Sequence, residues 1–151
     1  MDDLFSALAA FLAQTFANEL PGGLYDTYAP QVAVAYAVLT DQGENYDFQI
    51  VRDDFDPTRG VPEGIADGVF TVTVYATSDT EARRLTRAIA KAVIQAEMAG
   101  DGVYANTAGR TMEMRPANSA PVPITTTGPG TPTMFARALA VHYKENFSTL
   151  T

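Results

Sequence analysis

The candidates for chemistry in this sequence are one histidine and one acidic cluster. His142 is the single histidine, and the chain has no cysteine. Zinc sites and nucleophilic triads need several such groups placed together, so a structural role is favoured for His142. The acidic cluster is Asp53, Asp54 and Asp56, with Glu63 nearby. Its order Asp-Asp-Phe-Asp-Pro lacks the ligand spacing and the central glycine of a calcium loop, so a solvated acidic loop is favoured and no metal site is expected.

Neither a nucleophile nor a phosphate-binding loop is indicated. The four serines, Ser6, Ser78, Ser119 and Ser148, lie outside any nucleophile-elbow sequence. The glycines of Gly128-Pro129-Gly130 are followed neither by a predicted helix nor by a Lys-Ser or Lys-Thr pair. We therefore expect that the chain has no catalytic residues, binds no cofactor and is not an enzyme.

The composition of the chain predicts a single globular domain over residues 1–151. Apolar residues make up 46% of the chain, and no apolar run approaches the roughly 20 residues of a membrane span. The acidic start, Met1-Asp2-Asp3, differs from a secretory signal, and a chain without cysteine suits a reducing interior. A net charge of −8 argues against a general affinity for nucleic acid, although it leaves room for a local basic patch.

Hydrophobic periodicity predicts a helix and two strands in the first third of the chain. The apolar spacing over residues 2–18 is that of an amphipathic helix. Over residues 32–39, the side chains that would point to either face of a strand are apolar, so we expect a strand that is covered on both sides. Residues 41–45 are typical of a hairpin turn before a second strand at 46–52, and residues 53–68 predict a loop.

The clearest strand and the clearest helix follow one another. Over residues 69–77, apolar side chains alternate with threonine and tyrosine. Ser78-Asp79-Thr80-Glu81 is a capping box that opens a helix to about Met98. The predicted buried stripe of this helix is Ala82, Leu85, Ile89, Ala92, Val93 and Ala96.

The last third is less regular. Short strands are predicted at 103–105 and 111–115, and a final strand at 134–143. Between them, residues 116–133 hold five prolines and two glycines, which predicts an extended loop or arm. The predicted fold class is therefore α+β, a mostly antiparallel sheet of four or five strands with two helices packed on it and a long Pro/Thr-rich loop.

Two surfaces are candidates for partner contacts. The outer side of the predicted helix 79–98 carries a basic stripe, Arg83, Arg84, Arg87 and Lys91. This stripe is either an ordinary solvated face or a contact for an acidic neighbouring subunit or, less readily, for DNA phosphates. The polar side of strand 69–77, Thr71, Thr73 and Tyr75, is either solvent-facing sheet or a subunit or tube interface. Val122 and Ile124 are the bulky apolar residues of the segment 116–133 and are added to these candidates.

The element order as a whole matches a known pattern. An amphipathic helix and a hairpin precede the strand Phe70-Thr71-Val72-Thr73-Val74-Tyr75, the capped helix from Ser78-Asp79-Thr80-Glu81-Ala82 to Ala96, an irregular stretch, and a terminal strand Ala138-Leu139-Ala140-Val141-His142-Tyr143. This order resembles the tail terminator proteins of long-tailed bacteriophages over nearly the whole chain. That family has no catalytic or ligand motif.

The resemblance implies a virion protein of the tail, assembled in the host cytoplasm without a membrane. Such proteins form a ring, usually a homohexamer, that caps the tail tube and ends its polymerisation. The implied partners are other copies of the chain, the major tail tube protein and a head-side neck or connector protein. DNA would pass through the lumen of the acidic ring without specific binding.

Two other functions stay open at this point. One is another neck or tail-completion ring component, which differs in whether it binds the tube or the connector. The other is a cellular small-molecule-binding or enzymatic α+β domain, which needs a pocket with convergent polar groups.

Overall fold

A computed structural model of the chain describes residues 4–28, 33–52, 60–99, 111–123 and 134–146. Two helices and five strands lie within these ranges. In chain order they are α1 (Leu4–Thr15), β1 (Leu24–Asp26), β2 (Tyr36–Arg52), β3 (Gly60–Ala76), α2 (Asp79–Ala99), β4 (Thr111–Val122) and β5 (Phe135–Asn146). None of the helices described here combines the length and the apolar character needed to cross a membrane.

The five strands form one mixed sheet in the order β1-β2-β3-β5-β4. The short β1 is parallel to β2, whereas the other three pairs are antiparallel. The α+β prediction, with two helices and a mostly antiparallel sheet, is confirmed. The short parallel strand β1 was not predicted, because three residues are too few to show a periodicity.

Both helices pack on the same face of the sheet, which we call the covered face. Leu8 and Leu12 of α1 share one buried cluster with Leu85 and Ile89 of α2. The sheet contributes its alternate residues to that cluster: Ala37, Leu39, Phe70, Val72, Val74, Ala76, Leu139, Val141 and Tyr143. The predicted stripe of α2 is confirmed, since Ala82, Leu85, Ile89, Val93 and Ala96 are buried and Ala92 packs against them.

The predicted N-cap of α2 is also confirmed. The Ser78 hydroxyl accepts a hydrogen bond from the backbone N–H of Glu81 at 3.1 Å. The other half of the capping box, in which Glu81 reaches back to Ser78, is replaced, because the Glu81 carboxylate accepts two hydrogen bonds from the Arg84 guanidinium. Helix α2 therefore begins where the capping sequence indicated, directly after β3.

The predicted hairpin at residues 41–45 is wrong. β2 runs unbroken from Tyr36 to Arg52 and has a bulge between Asp41 and Glu44. The Asp41 carboxylate accepts the N–H of Gly43 at 2.8 Å, and Gly43 has a φ of +98°. Turn-type residues thus form a bulge that twists the strand and leave its direction unchanged.

The predicted loop at 53–68 is wrong for residues 60–68, which form the first half of β3. Its glycines and Pro62 favoured a turn, yet the segment pairs with β2 throughout, from Arg52↔Gly60 to Glu44↔Gly68. β5 pairs with β3 only from Ile65 onward. On that side of β3, Pro62 therefore has no ladder partner in β5, and its missing N–H is tolerated. Residues 53–59, with the acidic cluster Asp53, Asp54 and Asp56, lie outside the described residues.

The predicted loop at 116–133 is wrong for residues 116–122, which belong to β4. β4 is an edge strand, so half of its backbone N–H groups need no partner in the sheet. Pro116 pairs with Val141, and Pro121 pairs with Arg137, four residues away on β5. Because the partners are an even number of residues apart, both prolines occupy the same alternating set of positions in the ladder. The strand predicted at 103–105 and the remainder of the arm, residues 124–133, are outside the described part of the chain.

The strand predicted at 32–39 begins later and is covered differently. β2 starts at Tyr36, and Val34 before it is 44% exposed. Ala37 and Leu39 lie under the helices, whereas Val38 points to the other face, where the described elements supply no second layer. Val38 is nevertheless buried, with only 9% of its surface exposed, so the predicted burial on both sides holds for residues 37–39 and is wrong for Val34.

Candidate assembly surfaces

The sheet face opposite the helices, called here the open face, has an uncharged area across four strands. The strand register places its side chains in three rows. The rows are Tyr36–Tyr75–Ala136–Val122, Val38–Thr73–Ala138–Ala120 and Thr40–Thr71–Ala140–Asn118. Because strands are about 4.8 Å apart and alternate residues about 7 Å, the rows cover roughly 300 Å².

Three tyrosines stiffen one end of the open face. The rings of Tyr36 and Tyr75 stack at 4.6 Å with an interplanar angle of 4°, and Tyr25 meets Tyr36 edge-on at 6.0 Å. The Tyr25 hydroxyl donates to the carbonyl of Gly22 at 2.7 Å. Burial, with a smaller effect of the neighbouring phenols, raises the pKa of Tyr36. The area therefore presents flat, uncharged rings held in fixed positions.

The structure brings four of the predicted surface residues together here. Thr71, Thr73 and Tyr75 are neighbours along β3, and Val122 lies in the same row as Tyr75, two strands away. The alanines of β5 between them were not predicted as part of the surface. Their small side chains gave no signal in the sequence, because alanine suits a helix, a core or a flat sheet equally. Ile124 lies outside the described residues.

The basic stripe lies on the opposite side of the molecule, on the outer face of α2. Arg83 pairs with Asp79 at 3.5 Å and Arg84 with Glu81 at 2.6 Å, within the helix. Arg84 also lies 3.9 Å from Glu19. Among the described residues no salt bridge involves Arg87 or Lys91. The four predicted residues thus divide into a paired half and a half that faces solvent.

Sequence reasoning missed an apolar continuation of the solvent-facing half. Ile94 is 44% exposed and Met98 is 82% exposed. Together with Arg87 and Lys91 they follow the spacing i, i+4, i+7, i+11, which places all four within one narrow strip of the helix. The signal was available, since Ile94 and Met98 do not fit the buried stripe of α2.

A cleft of about 440 Å³ lies beside the bulge of β2. Most of its lining residues carry polar side chains, among them Glu44, Asn45, Asp67, Arg115, His142 and Lys144. Asp67 and Lys144 are direct partners across β3 and β5, as are His142 and Arg115 across β5 and β4. His142 is exposed in this charged region, so the structural role favoured for it is that of a surface residue.

The cleft depends on a close contact over Gly68. The Tyr143 hydroxyl donates to Glu44 at 2.6 Å across Gly68, which lies between them in register. A Cβ on Gly68 would lie 2.5 Å from the Tyr143 hydroxyl and 2.6 Å from the Gly43 carbonyl oxygen. Burial first, then the hydrogen bond to Glu44, raises the pKa of the Tyr143 phenol. Glycine is therefore needed at this position of β3 for the Tyr143 side chain of β5 to reach Glu44 of β2.

No group of three or more His, Asp or Glu side chains within the described residues is arranged to hold a metal ion. The Glu81 carboxylate has a lowered pKa because it accepts the Arg84 hydrogen bonds, and the same contact raises the pKa of Arg84. These shifts belong to an exposed ion pair on α2. The geometry is that of two surfaces and an open polar cleft.

No protein-family model matches the chain, and no curated protein matches it. The chain is similar to one in a solved structure described as "Virion of native gene transfer agent (GTA) particle". The two are 16% identical, the match covers 95% of this chain and 91% of that chain, and the TM-score is 0.43. At this distance the likeness assigns neither a family nor a function to the chain.

Proposed function

We propose that the chain is a structural protein of a phage-type virion and forms a ring that caps the tail tube. In that role it ends tube polymerisation and joins the tail to the head-side neck. It acts without catalysis or cofactor. The observation that carries the proposal is the uncharged area of the open face, three rows of side chains that the described elements of its own subunit leave without a second layer.

The composition of the open face supports burial against another protein. A sheet face that serves only as solvated surface commonly carries charged side chains. Here Thr71, Thr73 and Tyr75 alternate with the small residues Ala136, Ala138 and Ala140 of β5. A flat surface of small and β-branched side chains fits closely against a second flat surface, with no charge to desolvate.

The size of the open face indicates several contacts per subunit. Its roughly 300 Å² is within the range of the largest patches on monomers, which are often functional. An interface of standard size buries about 800 Å² on each partner. The open face can therefore be the centre of one interface, and a ring subunit with two neighbours and a tube needs further surfaces.

Tube assembly tests the proposal directly. Tail tube protein polymerised alone should give tubes of uncontrolled length, whereas the added chain should stop growth and appear as a ring at one tube end in electron microscopy. Thr73→Asp should abolish capping, because it places a charge in the centre of the open face. Thr80→Asp is the matched control, since it adds the same charge at an exposed position of the first turn of α2.

Two results would contradict the proposal. One is a strict monomer that leaves tube length unchanged at all concentrations. The other is Thr73→Asp capping as well as the parent chain. A chain that binds the connector and leaves tubes unaffected would instead be another neck or tail-completion ring component.

The polar cleft favours a second candidate, a small-molecule-binding domain. Its volume of about 440 Å³ is within the range of ligand pockets. Such pockets are mostly apolar, whereas most residues that line this one carry charged or amide side chains. Saturable binding of a metabolite that Lys144→Ala weakens, with unchanged unfolding, would favour this candidate.

A further inference from the structure

The solvent-facing part of α2 combines charge with exposed apolar surface. We call Arg87, Lys91, Ile94 and Met98 the α2 stripe. All four side chains are exposed, and eleven helical steps separate the first from the last, which is about 16 Å along a helix axis. Two cations followed by two large apolar groups fit a partner that offers carboxylates beside an exposed hydrophobic ring.

The same chain presents such a partner on β2. We call Asp41, Glu44 and Tyr46 the β2 patch. All three residues are exposed, Tyr46 to 59%, and the Tyr46 hydroxyl donates to Glu44 at 3.0 Å. Their register partners on β3 run from Phe70 to Ala66, so the patch is about 14 Å long. Its length and its charge both complement the α2 stripe.

The two surfaces lie over different strands on the covered side of the sheet, and the α2 stripe is on the outer side of the helix, directed away from the sheet. α2 packs over β3, β5 and β4, at one side of the sheet. β1 pairs only with residues Ala37 to Leu39 of β2, so the bulge and Tyr46 lie on the far edge of the sheet beyond β1. One copy therefore cannot join its own two surfaces, whereas a row of copies can join them in sequence.

We propose that the α2 stripe of one copy docks on the β2 patch of the next copy, so that subunits associate head to tail. The contact is heterologous, and such contacts give a closed ring when the rotation between copies closes. The inference rests on the proposed ring function and names the contact that builds the ring. It also leaves the open face available to the tube or neck partner.

Two single-cysteine variants test the contact, because the natural chain contains no cysteine. Met98→Cys and Tyr46→Cys change exposed side chains, so folding should be retained. A short thiol-specific cross-linker should join the two variants when they are mixed, and neither variant to itself. Met98→Cys mixed with Thr73→Cys, which probes the open face, is the control and should cross-link at least about tenfold less.

A charge-reversal variant is the second test of the contact. Arg87→Glu combined with Lys91→Glu, in the Met98→Cys chain, should reduce the cross-linked dimer about tenfold or more. Thermal unfolding should be unchanged, since no salt bridge of either side chain is present among the described residues. In about 1 M salt, where the screening length is about 3 Å, the mixture of Met98→Cys and Tyr46→Cys without charge reversal should also cross-link less.

The outcomes separate this inference from the proposed function. Rings that form on tubes without a Met98-to-Tyr46 cross-link overturn the head-to-tail contact and leave the ring function intact. Homotypic Met98 cross-links show a two-fold contact and also overturn it. A chain that neither self-associates nor caps tubes removes both proposals. Retention of the reversed chain's cross-link at low salt shows that Arg87 and Lys91 do not contribute to the contact and overturns the proposed charge complementarity.

Discussion

The two faces of the sheet are built from the same strands and differ in almost every property. Val72 and Thr73 are consecutive in β3, yet Val72 is fully buried under the helices and Thr73 is on the open face. The covered face has Phe, Leu, Val and Tyr side chains that fill the space beneath α1 and α2. The open face has Thr, Ala and stacked Tyr side chains, with no charge in its three rows.

This difference indicates that the two faces meet different kinds of neighbour. A covered face must fill a volume, so large branched side chains are needed there. A face that meets a second flat surface must instead be level, and small or β-branched side chains serve that purpose. Stability should therefore depend on the covered face, and contact with the tube or neck partner on the open face.

The strongest test of this division replaces two neighbouring residues of β3, Val72 and Thr73, with aspartate in separate variants. Val72→Asp should leave little folded protein, because a buried unpaired charge costs several kcal/mol against a total stability of about 5–15 kcal/mol. Thr73→Asp should fold, with a loss of about 1 kcal/mol or less. Circular dichroism during urea unfolding measures both. Equal losses in the two variants would show that the open face is also part of the folding core.

Gly68→Ala should have the next largest effect. The added Cβ meets the Tyr143 hydroxyl at 2.5 Å and a backbone oxygen at 2.6 Å, so β5 or the bulge must move. Overpacking of this kind costs about 1–3 kcal/mol. Gly43→Ala is the control for backbone conformation, since its Cβ would meet nothing within 4 Å but its φ of +98° disfavours alanine. An unchanged urea midpoint for Gly68→Ala would contradict the close approach.

The sequence predicted the elements whose pattern is local. The buried side of α2, its Ser78 cap and the alternation of Phe70, Val72 and Val74 each follow from spacing within a few residues. The errors concern pairing between distant strands. Turn-type residues at 41–45 form a bulge, and Pro116 lies in a strand, because the register with β3 and β5 overrides local preference.

The candidate surfaces were predictable only in part. Thr71, Thr73 and Tyr75 were identified because they alternate with an apolar face on one strand. Their continuation through Ala138 requires knowledge of which strand lies beside β3, and no local pattern carries that information. The β2 patch was hidden for a related reason, because residues 41–45 were expected to form a turn.

Tyr143→Phe should have a smaller effect than the glycine substitution. It removes the 2.6 Å hydrogen bond to Glu44 but keeps the ring, which stacks on Phe70 at 4.4 Å. The expected loss is about 1 kcal/mol. Because the pKa of the phenol is raised in the folded chain, the parent loses this stability as pH rises above 10.0, the ordinary value. The variant should lack that alkaline loss, and parallel unfolding at neutral and alkaline pH measures it.

The smallest effect is expected for Arg84→Gln, on the solvated side of the molecule. Arg84 pairs with Glu81 at 2.6 Å, but both side chains are largely in water, so the urea midpoint at neutral pH should hardly change. The Arg84 hydrogen bonds lower the pKa of Glu81, so their small contribution is present above the ordinary value of 4.5 and is lost as pH falls below it. The parent and Arg84→Gln should therefore converge in acid. Ring formation should also persist, because the proposed head-to-tail contact uses Arg87 and Lys91, which lie further along α2. Loss of assembly in Arg84→Gln at unchanged stability would extend the contact toward the first turn of α2. It would also show that Arg84 binds the neighbouring copy although it is already paired with Glu81 in its own helix.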